Sequence, residues 1–84
     1  MNQADAIRSF VNVTYIEPAR AAGASQIVVR AGDVHKKMSL KDKMPAVTSA
    51  LGANQFETAY RVKCVGRTGP HSGASVEFTF EIQP

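Results

Sequence analysis

The chain has 84 residues, 44% of them hydrophobic and 20% charged, which is the composition of a folded globular protein and not of a disordered one. This length predicts one domain, residues 1–84, with little room for a buried catalytic chamber. The sequence lacks both a membrane-length apolar run and a secretory signal, and its single cysteine excludes an internal disulfide. We therefore expect a cytoplasmic protein in a prokaryotic setting, with a net charge of +3.

Positive charge is concentrated between Arg30 and His71. This run holds eight of the ten Lys and Arg residues: Arg30, Lys36, Lys37, Lys41, Lys43, Arg61, Lys63 and Arg67. Its three acidic residues leave an excess of five positive charges, whereas the rest of the chain has an excess of two negative charges. Such asymmetry predicts a positive face and an anionic partner, although a merely solvated basic surface would have the same composition.

The first segment has apolar residues at helical spacing. The pattern predicts a helix over residues 5–15, with Asn2 or Asp5 as its cap. Alternation of β-branched and aromatic residues over 10–16 leaves a strand open as the alternative. Pro18 predicts a break in the chain and the start of a short second helical piece.

The middle of the chain predicts a strand, a helix, a turn and a second helix. Gln26–Arg30 is typical of a short strand, and Asp33 is the expected N-cap of a helix that ends near Met38. A turn over 39–42 leads to a helix over 45–53, with Pro45 in its first turn. The expected buried stripe of this helix is Met44, Val47, Ala50 and Leu51.

The last third of the chain predicts a β-hairpin. Residues 60–65 alternate, with Arg61 and Lys63 on the outward face, and residues 76–82 alternate in the same way. Between them, residues 66–73 are rich in Gly and Pro and too long for a two-residue turn. We expect an extended, basic loop at the tip of this hairpin, with a plain flexible connection as the alternative.

This order of elements resembles the winged-helix domain, a helix-turn-helix variant that ends in a β-hairpin wing, and the expected fold class is α+β. Three segments also resemble parts of small prokaryotic proteins of unassigned function: Ile16-Glu-Pro-Ala-Arg20, Arg30-Ala-Gly-Asp-Val-His35, and Met44-Pro-Ala-Val47 with Ser49-Ala-Leu51. The winged-helix resemblance implies that helix 45–53 enters the major groove of duplex DNA, and that loop 66–73 is the wing.

The resemblance also implies a set of nucleic-acid-binding residues. Phosphate contacts are expected from Lys36, Lys37, Lys41, Lys43, Arg61, Lys63 and Arg67, and further contacts from Thr48 and Ser49 on the helix and from His71 on the wing. Arg67 is the candidate for the minor groove. The exposed helix face carries no Arg, Asn or Gln, so we expect limited base readout.

One other interpretation stays open at this point. The small residues Ala46, Ser49 and Ala53 lie at helical spacing, which is also typical of a packing seam against another helix or a second subunit. If this seam or the outer β-strand takes a partner, the protein is an adaptor module that binds a protein and not DNA. A homodimer is compatible with either function.

The sequence predicts no enzyme. It has no Ser-His-acid arrangement or paired carboxylates, and His35, Cys64 and His71 are too few and too scattered for a metal site. Gly66, Gly69 and Gly73 match neither a P-loop nor a dinucleotide-binding fingerprint. We therefore expect no cofactor, no metal, no small-molecule substrate and no membrane partner.

Overall fold

A computed structural model describes residues 2–69 and 73–83, so His71 lies outside the described residues. The helical elements are α1 (Gln3–Val11), a π-helical segment (Asn12–Ile16), α2 (Glu17–Ala21), α3 (Ala31–Lys37), α4 (Met44–Leu51) and α5 (Asn54–Tyr60). The strands β1 (Gln26–Arg30), β2 (Val62–Thr68) and β3 (Glu77–Ile82) form an antiparallel sheet in the order β1–β3–β2. The predicted α+β class is confirmed. No helix in the described ranges is long and apolar enough to cross a membrane.

The N-terminal helical segments are continuous from Gln3 to Ala21. Asn2 caps this helix, because its side-chain oxygen accepts a hydrogen bond of 2.8 Å from the backbone N–H of Asp5. Pro18 has no N–H to donate and its ring crowds the preceding turn. The backbone widens there into the π-helical segment, in which the N–H of Glu17 donates to the carbonyl of Asn12. The predicted break at Pro18 and the alternative strand over 10–16 are wrong. The predicted short helical piece with Pro18 in its first turn is confirmed as α2.

The hydrophobic core lies between the sheet and the helices. On the sheet, the inward-facing residues are Val29 of β1, Val62 of β2, and Phe78 and Phe80 of β3. Phe56 of α5 packs edge-on against Phe80, with ring centroids 5.0 Å apart. The helices add Ile7, Val11, Ile16, Val34, Val47 and Leu51 to the same cluster. Among residues 2–69 and 73–83, the helices thus pack on one face of the sheet, and the other face is open to solvent.

A helix precedes β2 where the sequence predicts a strand that starts at residue 60. Residues 54–60 form α5, and Arg61 then turns the chain into β2 with a left-handed φ of 54°. The guanidinium of Arg20 stabilises this turn, because its Nη2 donates to the carbonyls of Tyr60 at 2.9 Å and Arg61 at 3.3 Å. Arg61 therefore lies at the end of a helix and not on the outward face of β2.

The connection between β2 and β3 begins three residues later than the predicted loop 66–73, and its returning side is anchored. β2 continues to Thr68, so the strand takes up the first part of the expected wing. On the returning side, the N–H groups of Ala31 and Gly32 donate to the carbonyls of Val76 (2.9 Å) and Ala74 (3.0 Å). These bonds hold residues 73–76 against the start of α3. The helix begins at Ala31, so the prediction of Asp33 as its N-cap is wrong.

Gly32 is required by this close contact. A Cβ at position 32 would lie 2.6 Å from the carbonyl oxygen of Ala74, a distance that forces the backbone to move. We expect Gly32→Ala to lower the free energy of unfolding by roughly 1–3 kcal/mol, as overpacking does, measured by urea titration with circular dichroism. The matched control is Gly66→Ala, whose added Cβ would meet Thr79 at an ordinary 3.6 Å. Equal stability of the two variants would contradict the anchoring of residues 73–76.

Candidate nucleic-acid interface

The turn between α3 and α4 has the geometry of a Schellman motif. Ser39 adopts a left-handed φ of 55°. Its N–H donates to the carbonyl of Lys36 at 3.0 Å, and the N–H of Leu40 donates to that of His35 at 3.1 Å. These two bonds satisfy the last carbonyls of α3 and direct the half-buried Leu40 onto the core. The chain then returns to begin α4.

Helix α4 is held at both ends by side chains from other helices. At its start, the backbone N–H of Lys43 donates to Nε2 of His35 at 3.2 Å. At its end, Nε of Arg8 donates to the carbonyl of Ala50 at 3.1 Å. Arg8 is 8% exposed, and its Nη1 also pairs with Asp5 at 3.0 Å. Because α4 also packs against α1 and α3, its outward surface has a fixed orientation.

That outward surface is narrow. The predicted stripe of Val47, Ala50 and Leu51 is buried, with Met44 half-buried. Thr48 is also buried, and its hydroxyl donates to the carbonyls of Met44 and Pro45, each at 3.2 Å. The prediction that Thr48 contacts nucleic acid is therefore wrong, because neither its side chain nor its hydroxyl faces solvent. The exposed positions are Pro45, Ser49 and Gly52, which we call the α4 strip.

Positive side chains lie at both ends of the α4 strip. Lys41 and Lys43 are exposed and immediately precede the first turn of α4. At the other end, Nη1 of Arg67 would lie 3.7 Å from a Cβ added to Gly52, so the guanidinium is beside the C-cap of α4. The eight residues of α4 span about 12 Å at ~1.5 Å per residue. The strip is therefore a small, uncharged surface with cations at each end.

A β-bulge brings Arg67 to this position. Cys64 lies opposite Phe80 and Gly66 opposite Thr79, so Val65 is an extra residue without a partner on β3. After the bulge, Arg67 lies opposite Phe78 on the inward side of β2, and its guanidinium carbon is 5.0 Å from the centroid of the Phe78 ring. The prediction that Arg67 belongs to a wing loop is wrong, because it lies within β2 and contacts the rim of the core.

The two lysines of α3 point in different directions. Nζ of Lys37 lies 3.1 Å from the hydroxyl of Tyr15 and 4.7 Å from the centroid of its ring. His35, two residues earlier, faces α4, and two residues of an α-helix correspond to a rotation of about 200°. Lys37 therefore faces the N-terminal helix and not the α4 strip. Lys36 is exposed between these two directions.

Lys63 and Arg61 also lie away from the α4 strip. Lys63 is directly opposite Glu81 on the outward face of the sheet, so the two residues form a cross-strand pair of opposite charge. Arg61 caps the C-terminus of α5. Among the predicted site residues that the structure describes, Lys41, Lys43, Ser49 and Arg67 are brought together around α4, whereas Lys37, Arg61 and Lys63 are not.

Two polar residues near the strip are not among those that the sequence pattern predicts. Asn54 and Gln55 are exposed in the first turn of α5, two and three residues after Gly52. Their amide groups are of the type that makes paired hydrogen bonds to adenine. The four-residue spacing of Phe56 and Tyr60 was the available signal of a helix here, and their ring centroids are 5.5 Å apart.

Comparisons with known proteins give no assignment. No model of a known protein family, no curated protein and no solved structure matches this chain. Within residues 2–69 and 73–83, no group of three or more His, Cys, Asp or Glu residues could hold a metal ion. The candidate site therefore rests on the geometry and charge around α4.

The contact between Arg8 and Ala50 can be tested separately from the ion pair. In Arg8→Met, the carbonyl of Ala50 loses its buried partner, so we expect the free energy of unfolding to fall by roughly 1–3 kcal/mol. Asp5→Ala removes the ion pair with Arg8 and keeps the bond to Ala50, and should cost less than Arg8→Met because the Asp5 side chain is 53% exposed. Urea titration compares the two variants. Equal losses would mean that Arg8 contributes through Asp5 and not by holding α4.

Proposed function

We propose that this protein binds duplex DNA through the α4 strip, as a domain of the winged-helix type. The observation that carries the proposal is the placement of Lys41 and Lys43 at one end of α4 and Arg67 at the other. The major groove of B-DNA is about 12 Å wide, which is close to the length of α4. A helix in the groove would therefore have a cation near the phosphates on each side.

The topology supports the winged-helix assignment. As in the resemblance, β1 lies in the chain between the N-terminal helix and α3, whereas α5 is a helix that the resemblance does not include. Helices α3 and α4 with their Schellman turn correspond to the helix-turn-helix, and β2 with β3 to the hairpin. In the proposed wing, residues 73–76 on the returning side are bound to the start of α3.

The chemistry of the α4 strip favours phosphate contact over base recognition. Pro45, Ser49 and Gly52 are small, so the helix backbone can approach the DNA closely. They offer a single hydroxyl and no group able to make a bidentate contact with a base edge. Asn54 and Gln55 are the candidates for any adenine contact. We therefore propose binding with weak sequence preference, in which phosphate contacts set the position.

Two variants with the same change of net charge test the location of the interface. We expect Lys43→Glu to weaken binding to a random-sequence duplex at least tenfold and to reduce the salt dependence by about one phosphate contact or more. The control, Lys63→Glu, reverses a charge on the outward face of the sheet, opposite Glu81. It should leave the affinity within about threefold of the wild-type value. Fluorescence anisotropy measures both.

Equal loss of affinity in the two variants would contradict an interface at α4. It would indicate attraction by the net charge of the chain instead. Circular dichroism spectra of the two variants confirm that each is folded before the affinities are compared.

A further inference from the structure

The two edges of the sheet differ in how they are protected. At the β2 edge, the backbone N–H of Cys64 donates to Oε2 of Glu57 at 2.8 Å, and the bulge at Val65 interrupts the strand. A covering side chain and a bulge are both known means of preventing an edge strand from pairing with another chain. The β1 edge has neither feature among the described residues.

The backbone groups on the β1 edge can be assigned from the hydrogen bonds around it. The N–H of Ile82 donates to the carbonyl of Ser25, and that of Ala31 to the carbonyl of Val76, each at 2.9 Å. Because hydrogen-bonded pairs alternate in an antiparallel ladder, the backbone N–H and C=O groups of Ile27 and Val29 also point toward β3. The N–H groups of Gln26, Val28 and Arg30 therefore point away from the sheet. Among the described residues, no backbone hydrogen bond outside the β1–β3 ladder uses them, and the ladder itself uses the alternate residues.

We propose that β1 pairs with β1 of a second copy of this chain, antiparallel and centred on Val28. In this register Val28 lies opposite the partner's Val28, and Gln26 opposite the partner's Arg30. The Val28 pair would exchange two backbone hydrogen bonds, and the N–H of each Arg30 would donate to the carbonyl of the partner's Gln26. The result is one continuous six-stranded sheet with a two-fold axis through the Val28 pair.

The side chains on the outward face suit this register. Val28 is 53% exposed, and pairing would place it against an identical apolar side chain. Each Arg30 lies opposite Glu77 of its own β3. On its other side it would meet the neutral amide of the partner's Gln26, which itself adjoins the partner's Glu81. Across the joined sheet the order is therefore Glu77, Arg30, the partner's Gln26 and the partner's Glu81. No two side chains of like charge lie next to each other across the new pair of strands.

The proposed dimer places the helices of both copies on the same face of the joined sheet. The axis is perpendicular to the sheet, because both Val28 side chains point to the same face. The helices of the two copies would then lie together on the opposite face, each with its α4 strip. This proposal rests on the backbone of β1 and stands whether or not the protein binds DNA.

Sedimentation equilibrium between micromolar and millimolar concentration tests the dimer. We expect the wild-type protein to approach twice the 9.0 kDa mass of one chain as its concentration rises. Val28→Lys would place two ammonium groups face to face, and should raise the dissociation constant at least tenfold, whereas an edge lysine is well tolerated in a monomer. Val28→Thr keeps the shape of the side chain and should dimerise.

The matched control is Val65→Lys, which adds the same charge at a residue of similar exposure, 45%, on the opposite edge strand. It should dimerise like the wild-type protein. A single-chain mass at every concentration would overturn the proposal, as would equal weakening by Val28→Lys and Val65→Lys. Far-UV circular dichroism confirms folding, so loss of the dimer is not confused with unfolding.

Discussion

The position of helix α4 is the constraint on which the candidate site depends. Arg8 reaches from α1 to the carbonyl of Ala50, and His35 reaches from α3 to the backbone of Lys43. Each side chain satisfies a backbone group near one end of α4, where the helix itself leaves groups unpaired. Because Val47 and Leu51 are packed in the core, the helix cannot rotate about its axis, and the α4 strip has a fixed orientation. A short helix without charged residues is thereby presented with cations at both ends.

The β-bulge in the sheet determines which charged side chains lie near the α4 strip. One extra residue at Val65 moves Arg67 from the outward face of β2 to the side of Phe78 and Gly52. Lys63, before the bulge, stays outward beside Glu81. The excess of positive charge in the middle of the sequence is therefore divided between two faces of the molecule. The part near α4 is smaller than the sequence indicates, but it is placed at the ends of a helix.

The sequence was sufficient for the elements with a clear period. The alternation of β3, the short strand β1 and the buried stripe of α4 were all predicted, because burial on one face leaves a regular pattern. It was not sufficient where tertiary contacts override local preference. Thr48 is polar and was expected at the surface. It can be buried because its hydroxyl donates a hydrogen bond to the carbonyl of Met44 in its own helix. No local sequence pattern predicts the bulge at Val65 or the bonds of residues 73–76 to α3. Helix α5 was not predicted, because the β-forming residues at its end favour a strand.

DNA binding by phosphate contact is the central claim, and its most direct test is an anisotropy titration of the wild-type protein. A random-sequence duplex and a matched single strand are compared at low and physiological salt. About three phosphate contacts, from Lys41, Lys43 and Arg67, predict a slope of log affinity against log salt near −3 for the duplex. Tighter binding to the duplex that weakens with this slope would support the account. No binding of either nucleic acid at low salt, or an affinity indifferent to salt, would contradict it.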